Sequence, residues 1–134
     1  MYILAIETTG AFASVALMKD DKIIGGIHGN DRFSHLQNLM PQVDAVVKES
    51  KLSLDDIDVI AVSKGPGSFT GIRIGVSSAR ALSQVLDIPC VEVSSLEALA
   101  MNAAGISDKK DEACMSKPAF DDDVLVCPIL DARR

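Results

Sequence analysis

Apolar positions along the chain change their spacing in a definite order, and that order predicts the elements. Tyr2–Glu7 reads as a strand, and the Thr8-Thr9-Gly10 run after it is turn-like. A second strand is predicted over residues 12–18, an Asp20-Asp21 turn follows, and Lys22–His28 reads as a third strand. Three consecutive strands joined by tight turns describe an antiparallel meander. Ser34 is placed to cap a helix that carries Leu36, Leu39, Met40, Val43, Val46 and Val47 along one side. Pro41 falls inside that helix and predicts a kink or a second start. After a polar connection over residues 50–56, the run Ile57-Asp58-Val59-Ile60-Ala61-Val62-Ser63 is short and β-branched, which suits a buried strand. A helix over residues 70–86 shows Ile72, Val76, Ala79, Leu82 and Val85 at helical spacing. A strand over 89–93 and a helix over 95–104 complete the order βββαβαβα.

The junction between the fourth strand and the second helix is glycine-rich: Lys64-Gly65-Pro66-Gly67-Ser68-Phe69-Thr70-Gly71-Ile72-Arg73-Ile74-Gly75. Gly65 and Gly67 permit backbone angles closed to other residues, and Pro66 fixes the bend between them. Gly71, Gly75 and Ala79 are each four apart, so one stripe of the helix is almost bare. Another backbone can approach closely there, within the domain or across a subunit boundary. A helix N-terminus attracts anions, yet the spacing fits no known phosphate cradle. No Gly-Lys-Ser/Thr is present, and G-x-G-x-x-x-G is one residue longer than the dinucleotide fingerprint. Structural use of these glycines is the expectation.

Over residues 105–123 the composition turns to Asp, Lys, Ser, Glu and Ala with little periodicity, the signature of an exposed linker. Val124-Leu125-Val126-Cys127-Pro128-Ile129-Leu130 is strand-like again, and a lone strand cannot bury both its faces. The expected organisation is a first lobe over 1–104, a linker over 105–123 and, over 124–134, the start of a second lobe that is otherwise absent. The alternative is a strand added to the edge of the first sheet.

Composition narrows the function classes. A chain of 134 residues with 48% hydrophobic content has room for one domain with a core. A net charge of −6 and a pI near 4.7 argue against a surface that binds a polyanion by itself, so any RNA role is expected to be indirect. Cys90, Cys114 and Cys127 match no C-x-x-C spacing, which argues against a disulfide framework or zinc knuckle and fits reduced thiols in a cytoplasm. Glu7 interrupts the first apolar run too early for a signal peptide, and no segment reaches the roughly 20 apolar residues of a membrane span.

Three motifs together, Ile3-Leu4-Ala5-Ile6-Glu7-Thr8-Thr9, Ser34-His35-Leu36-Gln37-Asn38-Leu39-Met40-Pro41 and the glycine-rich junction, strongly resemble the TsaB (YeaZ) family. Ile129-Leu130-Asp131-Ala132-Arg133 also looks like the opening strand of that family's second lobe. The likeness covers residues 1–105 and leaves the linker unmatched. It implies an α/β lobe of the actin-like, ribonuclease-H-like kind (ASKHA), a mixed sheet flanked by helices, within the superfamily of sugar kinases, Hsp70 and the glycoproteases. It further implies a part in making threonylcarbamoyladenosine (t6A), the modified base beside the anticodon of many tRNAs. In that family TsaB is the noncatalytic partner of TsaD, the related subunit that transfers the threonylcarbamoyl group. TsaE is then reached through the complex, tRNA only indirectly, no membrane is involved, and a twofold homodimer is expected without TsaD.

Three site readings follow. A strand ending in a carboxylate before Thr-Thr-Gly is how actin-like ATPases approach phosphate and magnesium, so Glu7, Thr8 and Thr9 are candidates for half a cleft that takes ATP or ADP. An ordinary hairpin turn uses the same residues, and with the other half-cleft on a second lobe, no cofactor is expected. In the TsaD relatives a His-x-x-x-His pair holds a metal just after the strand that follows this helix. Here the run is Val93-Ser94-Ser95-Leu96-Glu97-Ala98-Leu99, with Ser95 and Leu99 at the ligand positions. His28 and His35 are the only histidines, and His35 reads as a surface or capping residue, so neither a metal site nor a catalytic residue is expected. No Ser, His and Asp arrangement carries a nucleophile signature, and the cysteines lack an identified activating histidine. The expectation is therefore a scaffold subunit that binds and activates TsaD, with a nucleotide-binding ATPase-like enzyme or a glycoprotease-like peptidase as alternatives. Its partner surface is assigned to Leu36, Leu39, Met40, Gly71, Ile72, Gly75, Val76 and Ala79. Arg73 and Arg80 lie near it, either pairing with partner carboxylates or solvated. Gly75→Arg is expected to abolish pairing and leave the monomer folded.

Overall fold

A computed structural model describes residues 1–29, 35–105 and 126–130 of the chain. The elements are β1 (Tyr2–Glu7), β2 (Ser14–Lys19), β3 (Lys22–His28), α1 (His35–Glu49), a 3-10 turn (Leu54–Asp56), β4 (Val59–Gly65), α2 (Phe69–Leu86), β5 (Cys90–Ser94) and α3 (Ser95–Gly105). The predicted order holds, with most boundaries moved by one or two residues. The 3-10 turn is an addition inside the polar connection. Its start is held by Ser53, whose backbone N–H and hydroxyl both donate to the Asp56 carboxylate at 2.8 Å.

The five strands form one sheet in the order β3-β2-β1-β4-β5. Short turns join β1, β2 and β3, which therefore pair antiparallel, whereas β4 and β5 arrive after helices and pair parallel beside β1. The register sets two rows against the helices: Leu4 beside Leu17 and Ile60, and Ile6 beside Val15 and Val62. Leu39, Val43 and Val46 of α1 and Ala79 of α2 close over these rows to make the core. Each fully buried leucine or isoleucine in it contributes about 1.5–3 kcal/mol. The opposite rows, Ile3 beside Met18 and Val59, and Ala5 beside Ala16 and Ala61, are half-buried.

Two expectations change. α1 is a single element through Pro41, so the proline does not divide it. Residues 126–130 join no ladder, although the pattern predicts a strand there. Pro128 has no N–H to give a ladder, and a strand is stable only beside another. The Ser34 cap, the side chains of His35 and Leu36, and the proposed linker from residue 106 onward with most of 124–134 lie outside the described residues or side chains, while Gly105, assigned to the linker, ends α3. No helix among the described residues is long and apolar enough to cross a membrane.

Candidate functional site

The glycine-rich junction folds against the end of β1. Gly65 ends β4 with φ at 103°, a left-handed angle that favours glycine, and the Gly65–Pro66 peptide is cis. The Ser68 hydroxyl caps α2 by accepting from the Gly71 N–H at 3.2 Å, while the Ser68 N–H donates to the Thr9 carbonyl at 2.8 Å. One turn into α2, the Thr8 hydroxyl donates to the Gly71 carbonyl at 2.8 Å. A Cβ at Gly71 would stand 1.9 Å from the Thr8 carbonyl oxygen, and one at Gly75 would stand 2.2 Å from Thr8 Oγ1. The bare stripe therefore receives the strand end and turn of its own domain. This corrects the assignment of Gly71, Gly75 and Ala79 to a partner surface, since all three are buried. Leu39, assigned to the same surface, is only 1% exposed and belongs to the core.

Beside that contact the strand ends carry a closed set of polar side chains. Thr9 donates to Glu7 Oε1 from its backbone N–H and, at 2.6 Å, from its hydroxyl. The Ser63 hydroxyl at the end of β4 donates to Glu7 Oε2. Thr9 Oγ1 also lies 3.1 Å from the hydroxyl of Ser95, the first residue of α3. With the Thr9 proton on Glu7, Ser95 is the donor in that pair. Both carboxylate oxygens are thus engaged, and the fully buried Thr8 has no surface to offer a phosphate. The turn is braced by three elements, which goes beyond an ordinary hairpin. Ser63 and Ser95 were not read as partners of Glu7 and Thr9. The parallel register, which sets Ile6 beside Val62, is the signal that brings Ser63 next to Glu7.

The outward side of α2 is different in kind. Phe69 is 72% exposed, Ile72 and Val76 are half-buried, and Arg73, Ser77 and Arg80 are exposed. Ile72, Val76, Ser77 and Ala81 line a shallow groove of about 500 Å³ flanked by the two arginines. The Arg73 guanidinium lies 5.5 Å from the centre of the Phe69 ring, within cation–π range. Met40 of α1 is also exposed. Among the described side chains assigned to the partner surface, Ile72, Val76 and Met40 are the ones that reach solvent. Phe69 was missed, although a large aromatic at the first position of a helix is a visible signal.

The remaining chemistry is sparse. Ser95 is buried against Thr9, and Leu99 is half out in solvent. No group of three His, Cys, Asp or Glu among the described residues is placed to hold a metal ion. The His28 ring packs at a tilt on Phe12, with centroids 5.5 Å apart. Burial pushes the Cys90 thiol up, and the nearby Arg80 charge offsets part of that rise.

Comparison with known proteins places this geometry. The family model for TsaD, tRNA N6-adenosine threonylcarbamoyltransferase, matches residues 17–134. The tRNA threonylcarbamoyladenosine biosynthesis protein TsaB of Bacillus subtilis is 37% identical over 134 residues, all of this chain and 52% of that protein. TsaB of Buchnera aphidicola from Schizaphis graminum is 41% identical over 101 residues, 75% of this chain and 48% of that protein. The solved structure of YeaZ from Pseudomonas aeruginosa superposes with a TM-score of 0.70 at 33% identity, covering 76% of this chain and 47% of that one. The chain spans about half the length of the curated relatives it matches. The Bacillus alignment also runs through the linker, which the motifs left unmatched.

Proposed function

The chain belongs to the family that the TsaD model describes, on its TsaB (YeaZ) branch, and from that membership we propose that it is a noncatalytic scaffold subunit for t6A synthesis. Its fold is the actin-like, ribonuclease-H-like lobe of that family. In this reading α2, with α1 beside it, binds TsaD and holds it in a competent form, TsaE joins through the complex, and tRNA is met only through TsaD. The cytoplasm is where it works. The observation that carries the reading is the two-sided character of α2. Its small residues hold the domain together, and its opposite side presents an exposed phenylalanine beside a half-buried apolar groove. Exposed aromatics are over-represented among the residues that dominate binding, and some 800 Å² per partner is an ordinary contact.

Size exclusion with light scattering on this chain and TsaD from the same source tests the reading. The wild type is expected to form a one-to-one complex. Phe69→Ser combined with Met40→Asp, both at exposed positions, is expected to prevent it while the circular dichroism and melting curve stay close to wild type. A wild-type chain that elutes apart from TsaD overturns the proposal.

The second reading, a nucleotide cleft at Glu7 and Thr9, requires the carboxylate to exchange the hydrogen bonds from Thr9 and Ser63 for a magnesium ion. Calorimetry with ATP and magnesium separates the two. Tight binding by this chain alone would favour the cleft, and its absence is the expected result. The peptidase alternative has no observation at the site behind it.

A further inference from the structure

Helices α1 and α2 close over one side of the sheet, and α3 lies on the other. It follows β5 directly and rests against β4 and β5. Its first residue, Ser95, is tied to Thr9 and through it to Glu7, whose side chain shares the far side of the sheet with Ser63. None of the described residues of α3 joins the core under α1 and α2. The rows on the far side, built on Ile3 and Ala5, carry no charged side chain: β3 extends them with Ile23 and Gly26, and β5 extends the alanine row with Val91. Ile23 is 58% exposed and Val91 45%. Among the described elements α3 alone covers these rows, and it sits over β4 and β5. The strip over β3, β2 and β1 stays open. At about 4.8 Å per strand it is about 14 Å wide, room for one helix of about 10–12 Å diameter. Helix α3 is itself apolar on more than one side. Glu97 is its only charged residue, and Leu99 and Met101, about 200° apart around the helix, are both exposed. A helix with that pattern belongs between two layers rather than on a surface.

We propose that this far side pairs with a second copy of the chain, each α3 filling the open strip of the other. A twofold axis running along the strands, midway between two facing sheets, carries α3 of one copy across to the β3–β1 strip of its mate, and the reverse. The two α3 helices then lie side by side between two sheets, so that apolar side chains on opposite sides of α3 both find cover. What singles out a second copy is that the chain carries both halves of the fit: a strip one helix wide, and a helix with apolar surface to spare. The open strip, with the outer side and one flank of an 11-residue helix about 16 Å long, comes to roughly 500 Å² in plan. Side-chain relief raises that toward the some 800 Å² per partner of an ordinary dimer. A net charge of −6 sets two copies against each other at long range, but the contact holds only Glu97, so little charge has to lose water. The pairing leaves Phe69 and the groove on α2 at the outside of the dimer. It therefore goes beyond the scaffold reading and stands without it.

Sedimentation equilibrium at low and physiological salt tests this on wild type, on Ile23→Lys/Met101→Lys and on Phe69→Ser/Met40→Asp, with circular dichroism melts as the check on folding. All four positions are exposed in the single chain. Wild type is expected to dimerise, and more tightly at the higher salt, because screening removes the repulsion between two chains of like charge while apolar contacts persist. The lysine pair is expected to weaken the dimer by about tenfold or more, and the Phe69 and Met40 changes to shift it by less than about twofold. Leu99→Ser/Met101→Ser, which adds no charge, repeats the test if the lysine pair lowers the melting temperature. A monomeric wild type overturns the proposal, whether the strip stays open or takes a helix from another polypeptide. A dimer that survives both the lysine and the serine pairs overturns it too. So does a dimer that the Phe69 and Met40 changes abolish, which would place self-association on α2.

Discussion

Thr8 is where the fold is least tolerant. Its hydroxyl and carbonyl lie against Gly71 and Gly75 so closely that neither position has room for a methyl group. Gly71→Ala would drive a Cβ into a backbone carbonyl, which cannot swing away, and is expected to cost about 3 kcal/mol in a thermal or urea melt. Gly75→Arg, expected from sequence to spare the monomer, should instead yield protein without a cooperative transition. A second residue-level test concerns Asp56, whose carboxyl is held below the ordinary carboxylate range by hydrogen bonds from the Ser53 backbone N–H and hydroxyl. A lowered folded pKa means that its contribution to stability is complete above the unfolded pKa, near 3.9, and is lost as pH falls through the folded one. Wild type should therefore exceed Asp56→Asn in urea stability at neutral pH, and the two curves should converge below about pH 4. Parallel curves down to the acid limit would mean that the hydrogen bonds do not favour the charged form.

Helix α2 ends at Asp87, a non-glycine residue with φ at 53° whose N–H donates to the Ser83 carbonyl. Glycine adopts that left-handed angle without the Cβ clash. Asp87→Gly is therefore expected to stabilise the domain by about 0.5–1 kcal/mol, read from the urea midpoint at unchanged slope. No gain would show that the aspartate side chain has a role of its own. The same helix explains why periodicity alone put buried residues into the assigned partner surface. Apolar and small residues at helical spacing mark a stripe, but α2 has two, one laid on Thr8 and the core and one outward around Ile72 and Val76.

For the molecule as a whole, a net charge of −6 disfavours a polyanion as a direct ligand of this chain. Fluorescence anisotropy with labelled tRNA should show no saturable binding by this chain alone up to about 100 µM at physiological salt, weaker than ordinary non-specific binders. Binding should appear once TsaD is added. Micromolar affinity without TsaD would contradict an indirect role for this lobe in tRNA handling.

Strand alternation, helical spacing, turn residues and the glycine-rich junction are local properties, so the βββαβαβα order and the three family motifs could be read from the chain directly. Register could not, because it depends on which strands meet. Ser63 reaches Glu7 across 56 residues and Ser95 reaches Thr9 across 86, so the closed polar set at the strand ends has no local signature. Spacing shows which residues share a stripe of a helix. Only tertiary packing decides which stripe lies on the sheet, and here the close fit of Thr8 against Gly71 and Gly75 turned the small residues inward and left Phe69, Arg73 and Arg80 facing solvent.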